Sequence, residues 1–244
     1  MRPLTPLRAA PAVLALALVV LAGDARAQRQ DASDSAAYLA LIRTPLAALP
    51  MRFDASMTGE RPTRPAFRVR YGLMSFDEHE YTHNFGIGVD VPLERAVLGF
   101  DVGYHWPNCN GICKSNVMAS AGLSERLVSI PLGQGEGAGA VNFGLQAAAG
   151  FGSMTDTTLW SGLLSLPVSL VPRGASLRFV PWVAPGLGVG AVRAASNEAG
   201  LQFTFGAGVG MLIGSRVRAD VGVNRVFLKD GNWLVGGGLS VGRD

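Results

Sequence analysis

The chain has 244 residues, of which 48% are hydrophobic and only 16% charged, and its formal net charge is +3. That charge is too small, and too scattered along the chain, to form a nucleic-acid-binding surface. Thirty-two glycines and fourteen prolines interrupt the apolar stretches, so a helical membrane protein is excluded as well.

The first 27 residues have the three-part layout of a secretory signal peptide. Arg2 and Arg8 precede an apolar run from Ala9 to Ala22, and Ala25-Arg26-Ala27 offers a small-x-small cleavage site. Cleavage after Ala27 removes Arg2, Arg8, Arg26 and Asp24 and lowers the net charge from +3 to +1. Residues 28–65 do not alternate. Ala36, Leu39, Ala40, Ile42 and Leu46 make a weak helical stripe that Pro45 interrupts, so a short helix or loose periplasmic arm is expected, with an internal plug or an added strand as alternatives.

From Phe67 onward the pattern has period two, the signature of strands with unlike faces. Phe67, Val69, Tyr71 and Leu73 oppose Arg68, Arg70 and Gly72, and Phe85, Ile87 and Val89 oppose Asn84, Gly86, Gly88 and Asp90. Leu98, Phe100, Val102, Tyr104 and Trp106 oppose Gly99, Asp101, Gly103 and His105. A fourth strand starts at Val117, and its phase slips around Ser124 to Arg126, which predicts a bulge. A fifth runs through Val141, Phe143 and Leu145. A sixth (Trp160 to Leu170) and a seventh (Leu177 to Ala191) are weaker, because Pro181 and Pro185 count against an unbroken central strand. Leu201 to Ile213, Arg216 to Leu228 and Trp233 to Gly242 complete the series, joined by turns short enough to demand antiparallel neighbours.

This pattern predicts an all-β fold over residues 66–244: a closed antiparallel up-and-down transmembrane β-barrel of about ten strands, with eight as the alternative. In a bilayer an exported sheet with an apolar face must close on itself, since no backbone group can be left unpaired there. Alternating strands behind a signal peptide resemble the small outer-membrane β-barrel family of diderm bacteria. So do the short connections and the aromatics near strand ends, namely Tyr71, Tyr81, Tyr104, Trp106, Trp160, Trp182 and Trp233. The resemblance implies residence in the outer-membrane bilayer, insertion by the outer-membrane assembly machinery, and no cofactor. The chain departs from the family in finishing Val241-Gly242-Arg243-Asp244, where members commonly finish on an aromatic residue.

On such a barrel the inward polar residues include Arg68, Arg70, Asp90, Asp101, Arg178, Arg218 and Asp220, with Asn84, His105, Asn142, Gln146, Gln202 and Asn224. Charges of both signs predict a hydrogen-bonded network that fills a narrow lumen. Cys109 and Cys113, four apart in a loop of an exported chain, predict a disulfide, worth roughly 2 kcal/mol by chain entropy. His79-Glu80-Tyr81-Thr82-His83 matches the H-E-x-x-H pattern of zinc proteases, which requires both histidines on one helix. Here the flanks read as a loop entering a strand, where residues four apart stand about 13 Å apart, and no metal is expected. His79, Glu80, His83 and His105 nevertheless form a rim cluster for an enzymatic alternative of the protease or acyl-transferase type. A soluble exported barrel around an apolar ligand is the other alternative, and the expected function is a structural, surface-interaction or minor transport role with no identified surface ligand.

Overall fold

The computed structural model describes residues 64–75, 81–108, 116–133, 139–154, 157–174, 176–193, 197–214, 216–226 and 233–242. The signal segment, the arm up to residue 63, His79, Glu80, Cys109 and Cys113 lie outside these residues, and with them the expected cleavage, the arm and the disulfide. The described chain forms β1 (Ala66–Ser75), β2 (Tyr81–Pro92), β3 (Ala96–Asn108), β4 (Asn116–Pro131), β5 (Ala140–Met154) and β6 (Thr157–Ser165). It continues as β7 (Val168–Val171), β8 (Leu177–Arg193), β9 (Asn197–Ile213), β10 (Val217–Val226) and β11 (Trp233–Gly242). All pairings are antiparallel, and β11 pairs with β1 from Ala66↔Gly242 to Met74↔Leu234, which closes the sheet into a barrel.

Ten strand positions make the wall, as the alternation predicts. β6 and β7 share one position between β5 and β8, with the register running on unchanged from Gln146↔Ser165 to Phe143↔Val168. The break between them is Leu166-Pro167, where Gly144 N–H still donates to the Pro167 carbonyl at 2.8 Å and Leu166 N–H to that of Pro185 at 2.9 Å. Registered partners lead from Ile213 through Val217, Val241, Phe67, Val89, Phe100, Ala121, Ala149, Gly162 and Val189 back to β9 at Leu201. One circuit is thus displaced along β9 from residue 213 to residue 201, and such a stagger on ten strands corresponds to a tilt of about 40°.

Two expectations change. Pro181 and Pro185 lie inside an unbroken β8. In an antiparallel strand, alternate residues address their backbone groups to opposite neighbours, and the bond that the Pro185 carbonyl accepts shows that the odd residues of β8 address β6 and β7. On that side the ladder is already interrupted, with only Val168↔Val183 and Ser169↔Trp182 paired to β7. The missing N–H groups therefore cost no bond to β9. Trp182 is also not a strand-end aromatic: it is an even residue of β8, faces inward and is 6% exposed.

The bulge is present, displaced slightly from its expected place. The β4–β5 register shifts between Arg126 and Val128 with Leu127 as the extra residue, after which Val128 and Ile130 carry the outer face. Beyond Ala96↔Glu125 the rest of β4 pairs only with β5.

Throughout the wall, apolar side chains point out and polar or small ones point in. Phe67, Leu201, Phe203 and Trp106 are all more than two-thirds exposed, whereas Arg68 and Asp101 are buried. The barrel has a terminal end, where β1 begins and β11 finishes, and a far end. Outward Tyr71, Tyr81, Tyr104, Trp106, Trp160 and Trp233 gather in its far half. The far-end connections, residues 76–80, 109–115, 155–156, 194–196 and 227–232, are all short.

Candidate functional site: the lumen

The lumen begins with a charge cluster on three neighbouring strands. Arg68 on β1 pairs with Asp90 on β2, and its Nη2 donates to both carboxylate oxygens of Asp101 on β3 at 2.9 and 3.0 Å. Arg70 Nη1 stands 3.6 Å from Asp101 Oδ1. The link from β1 to β3 crosses β2 at Gly88, since Arg68, Gly88 and Asp101 are successive register partners. A Cβ on Gly88 would collide with the Asp101 carboxylate, so the absent side chain is what lets charges two strands apart meet. The same spacing recurs on the other side of β1, where Arg70, Gly238 and Asp220 are successive partners and Arg70 Cγ lies against Gly238.

Of the charged lumen residues expected from sequence, Arg68, Arg70, Asp90 and Asp101 are brought together, and all four are buried. Arg178, Arg218 and Asp220 are half-buried on the inner faces of β8 and β10. Sequence reasoning passed over smaller inward groups, Thr82, Ser120, Ser161, Ser165, Ser169 and Thr204, which are buried too. Strand parity alone identifies them. Ser165 Oγ donates to Gln146 Oε1 at 3.2 Å, while Thr82 Oγ1, Asn84 Oδ1, Ser120 Oγ, Asn142 Oδ1 and Gln202 Oε1 find no hydrogen-bond partner among the described residues.

The lumen also holds apolar layers that a purely polar interior would lack. Val171, Val180 and Leu212 cluster near the terminal end. Met74, Ala148, Trp182, Val226 and Leu234 form a second cluster, with Leu163 and Ala184 against it. The Trp182 indole fits because Gly206 and Gly208 face it, and a Cβ on Gly208 would stand 2.7 Å from its ring.

Bare backbone continues from there. Gly208, Gly222, Gly236 and Gly72 are successive register partners across β9, β10, β11 and β1, and the row ends at Asn84 on β2. All face inward. Gly208, Gly222, Gly236 and the adjacent Gly238 are only partly covered, with the Trp182 ring against Gly208 and Arg70 against Gly238 at the two ends of this patch.

Of the rim cluster only His83 and His105 are among the described residues, and these two do not meet. His83 lies within β2, not on a helix, and faces outward, where the Tyr71 hydroxyl and His83 Nδ1 are 2.6 Å apart and Tyr81 meets the ring edge-on. His105 faces inward beside Asn84 and is buried. The two imidazoles stand on opposite faces of the sheet, too far apart in direction to share a substrate or a metal. Among the described residues no group of three His, Cys, Asp or Glu side chains could hold a metal ion.

No family model matches the chain, and no curated protein sequence does. Solved barrels do. The translocator domain of the autotransporter NalP from Neisseria meningitidis is 12% identical, with 86% of this chain and 98% of that one covered and a TM-score of 0.43. For the outer membrane enzyme PagL the values are 13%, 73%, 99% and 0.39. For the N-terminal β-barrel domain of Pseudomonas aeruginosa OprF they are 12%, 73%, 97% and 0.32. Likeness at this level assigns no function.

Proposed function

We propose that this chain is an integral outer-membrane β-barrel of the small-barrel type, exported by its N-terminal signal peptide and inserted by the outer-membrane assembly machinery. Its role on this reading is structural or surface-interacting and not catalytic, and its lumen carries no steady flow. The observation that supports this is the inverted polarity of the wall. Phe67, Leu201 and Phe203 face the surroundings while a buried Arg68, Asp90 and Asp101 face one another. Every Å² of apolar surface left in water forgoes about 25 cal/mol, and a continuous apolar band round a closed barrel is stable only against lipid. The strands suit that solvent, since a tilted wall strand needs about 9 to 11 residues to span it. The aromatics of the far half stand where an interface belt belongs, and both terminal strands open to the periplasm. The charge cluster and the Trp182 cluster both occupy the lumen, which favours closure.

Cell fractionation followed by electrophoresis with and without boiling tests the location. Outer-membrane recovery and heat-modifiable migration are expected; solubility without detergent would overturn the reading. In planar bilayers the refolded protein is expected to give no large steady conductance, and a stable open channel would overturn the closed lumen.

A further inference from the structure

We propose that the terminal mouth of the barrel is a recognition surface for anionic phospholipid headgroups, carried by Arg64, Arg95, Arg173 and Arg216. The inference rests on the barrel reading and goes beyond it by naming the lipid chemistry that one end selects. All four arginines are exposed. Arg64 stands where the chain enters β1, and the other three stand on the connections after β2, β7 and β9, so they are spread around the rim and not gathered at one point. Outside the lumen, the only other charged groups at this end among the described residues are Glu94, Glu125 and Arg126, and the rim is therefore basic.

Backbone bonds hold the turns in place. Leu93 N–H donates to the Ala96 carbonyl at 2.8 Å across the turn that carries Arg95. Gly214 N–H donates to the Ser176 carbonyl at 2.7 Å and Gly242 N–H to that of Arg216 at 2.9 Å, which ties the turn of Arg216 to β11 on one side and to the connection of Arg173 on the other. Each arginine also lies within four positions of an outward apolar residue, Phe67, Leu93, Leu177 or Ile213, and these are 72%, 46%, 45% and 44% exposed. At about 3.3 Å per residue, the guanidinium groups stand at the edge of the apolar band, where the roughly 5–8 Å of polar headgroup begins. A guanidinium fork matches two phosphate oxygens, and basic side chains at a membrane surface draw anionic lipids within a Debye length. Separate turns, each with apolar surface beside it, suit separate lipids with acyl chains on the wall and phosphate at the rim. An acidic polymer held by charge alone would need no apolar neighbour.

The test uses the full chain, refolded into vesicles with equal amounts of phosphatidylcholine and phosphatidylglycerol, then extracted gently and weighed with its retained lipids by native mass spectrometry. Phosphatidylglycerol is expected to outnumber phosphatidylcholine at least fivefold, about the factor that one basic residue at the surface contributes. The preference should disappear in the combined Arg64→Gln, Arg95→Gln, Arg173→Gln, Arg216→Gln variant and persist in Arg225→Gln, which removes an exposed arginine of the far half. Equal retention of the two lipids by the unsubstituted protein would overturn the proposal, as would a preference that survives the fourfold substitution or is lost with Arg225→Gln alone. Sedimentation with purified peptidoglycan that needs the four arginines, without any lipid preference, would overturn it in favour of a cell-wall partner. If the combined variant lacks heat-modifiable migration, Arg173→Gln with Arg216→Gln reads the same surface and should lower the preference at least twofold; no change there would also overturn the proposal. Absence of that migration in the unsubstituted chain would sink the barrel reading itself, whereas equal lipid retention with migration intact sinks the headgroup proposal alone.

Discussion

At the scale of single residues, the charge cluster is held by reciprocal need. Asp101 has 1% of its side chain exposed and receives Arg68 and Arg70, so Asp101→Ala takes a carboxylate from both guanidinium groups and leaves Arg68 with Asp90. Removing one partner of a buried pair costs roughly 3–5 kcal/mol, and we expect that loss in urea unfolding of the lipid-reconstituted protein. The combined Arg68→Met, Arg70→Met, Asp90→Leu, Asp101→Leu variant should fall much closer to wild type, since it removes the desolvation cost together with the attraction. Gly88→Ala is expected to destabilise by about 1–3 kcal/mol through displacement of the Asp101 carboxylate; an unchanged unfolding midpoint would show that the carboxylate reaches Arg68 by another route. Parity made Arg68, Arg70, Asp90 and Asp101 legible as inward residues. Their meeting across Gly88 was not legible, because it depends on register between strands, and a slip of one residue would send every one of them to the other face.

At the scale of elements, β8 shows that a proline in a strand is judged by which neighbour it addresses. Pro185→Val should be tolerated and can gain up to about 1 kcal/mol by restoring one donor toward β6 and β7. Ala184→Pro, one residue away, removes a donor that addresses β9 and should cost roughly 3 kcal/mol. The temperature at which the folded gel band disappears measures both, and similar behaviour of the two variants would refute the assignment of sides. The strand itself was legible from Leu177, Phe179 and Val189, yet its continuity was not, since a rule about prolines in strands carries no information on an interrupted neighbour. β4 is the converse. Its phase slip was visible in the sequence, but the fact that β3 stops at Ala96 and leaves the last turn of β4 paired on one side only depends on the height at which the β2–β3 turn falls. Leu127 in the bulge and Pro131 at the end of β4 blunt that edge against added strands.

At the scale of the whole molecule, the decisive property is which face meets lipid. Val221 lies on the outer face midway along β10 and is 58% exposed, with Gly222 behind it facing the lumen. Val221→Arg is expected to destabilise the reconstituted protein by about 2–4 kcal/mol, the cost of a cation near the bilayer midplane. Asn224→Asp on the inner face should change stability far less. Comparable losses at the two positions would mean that the outer face is not in contact with hydrocarbon. Fold class and strand number were legible because alternation repeats ten times and each repeat constrains the next. The apolar lumen layer was not, since Met74, Val226 and Leu234 read as ordinary strand residues until closure brings them to one height.

On the proposed reading, the outward rings of Tyr71, Tyr104, Trp106 and Trp160 in the far half set the depth at which the barrel rests, because they hold their own level at the membrane surface whatever the thickness of the hydrocarbon beyond it.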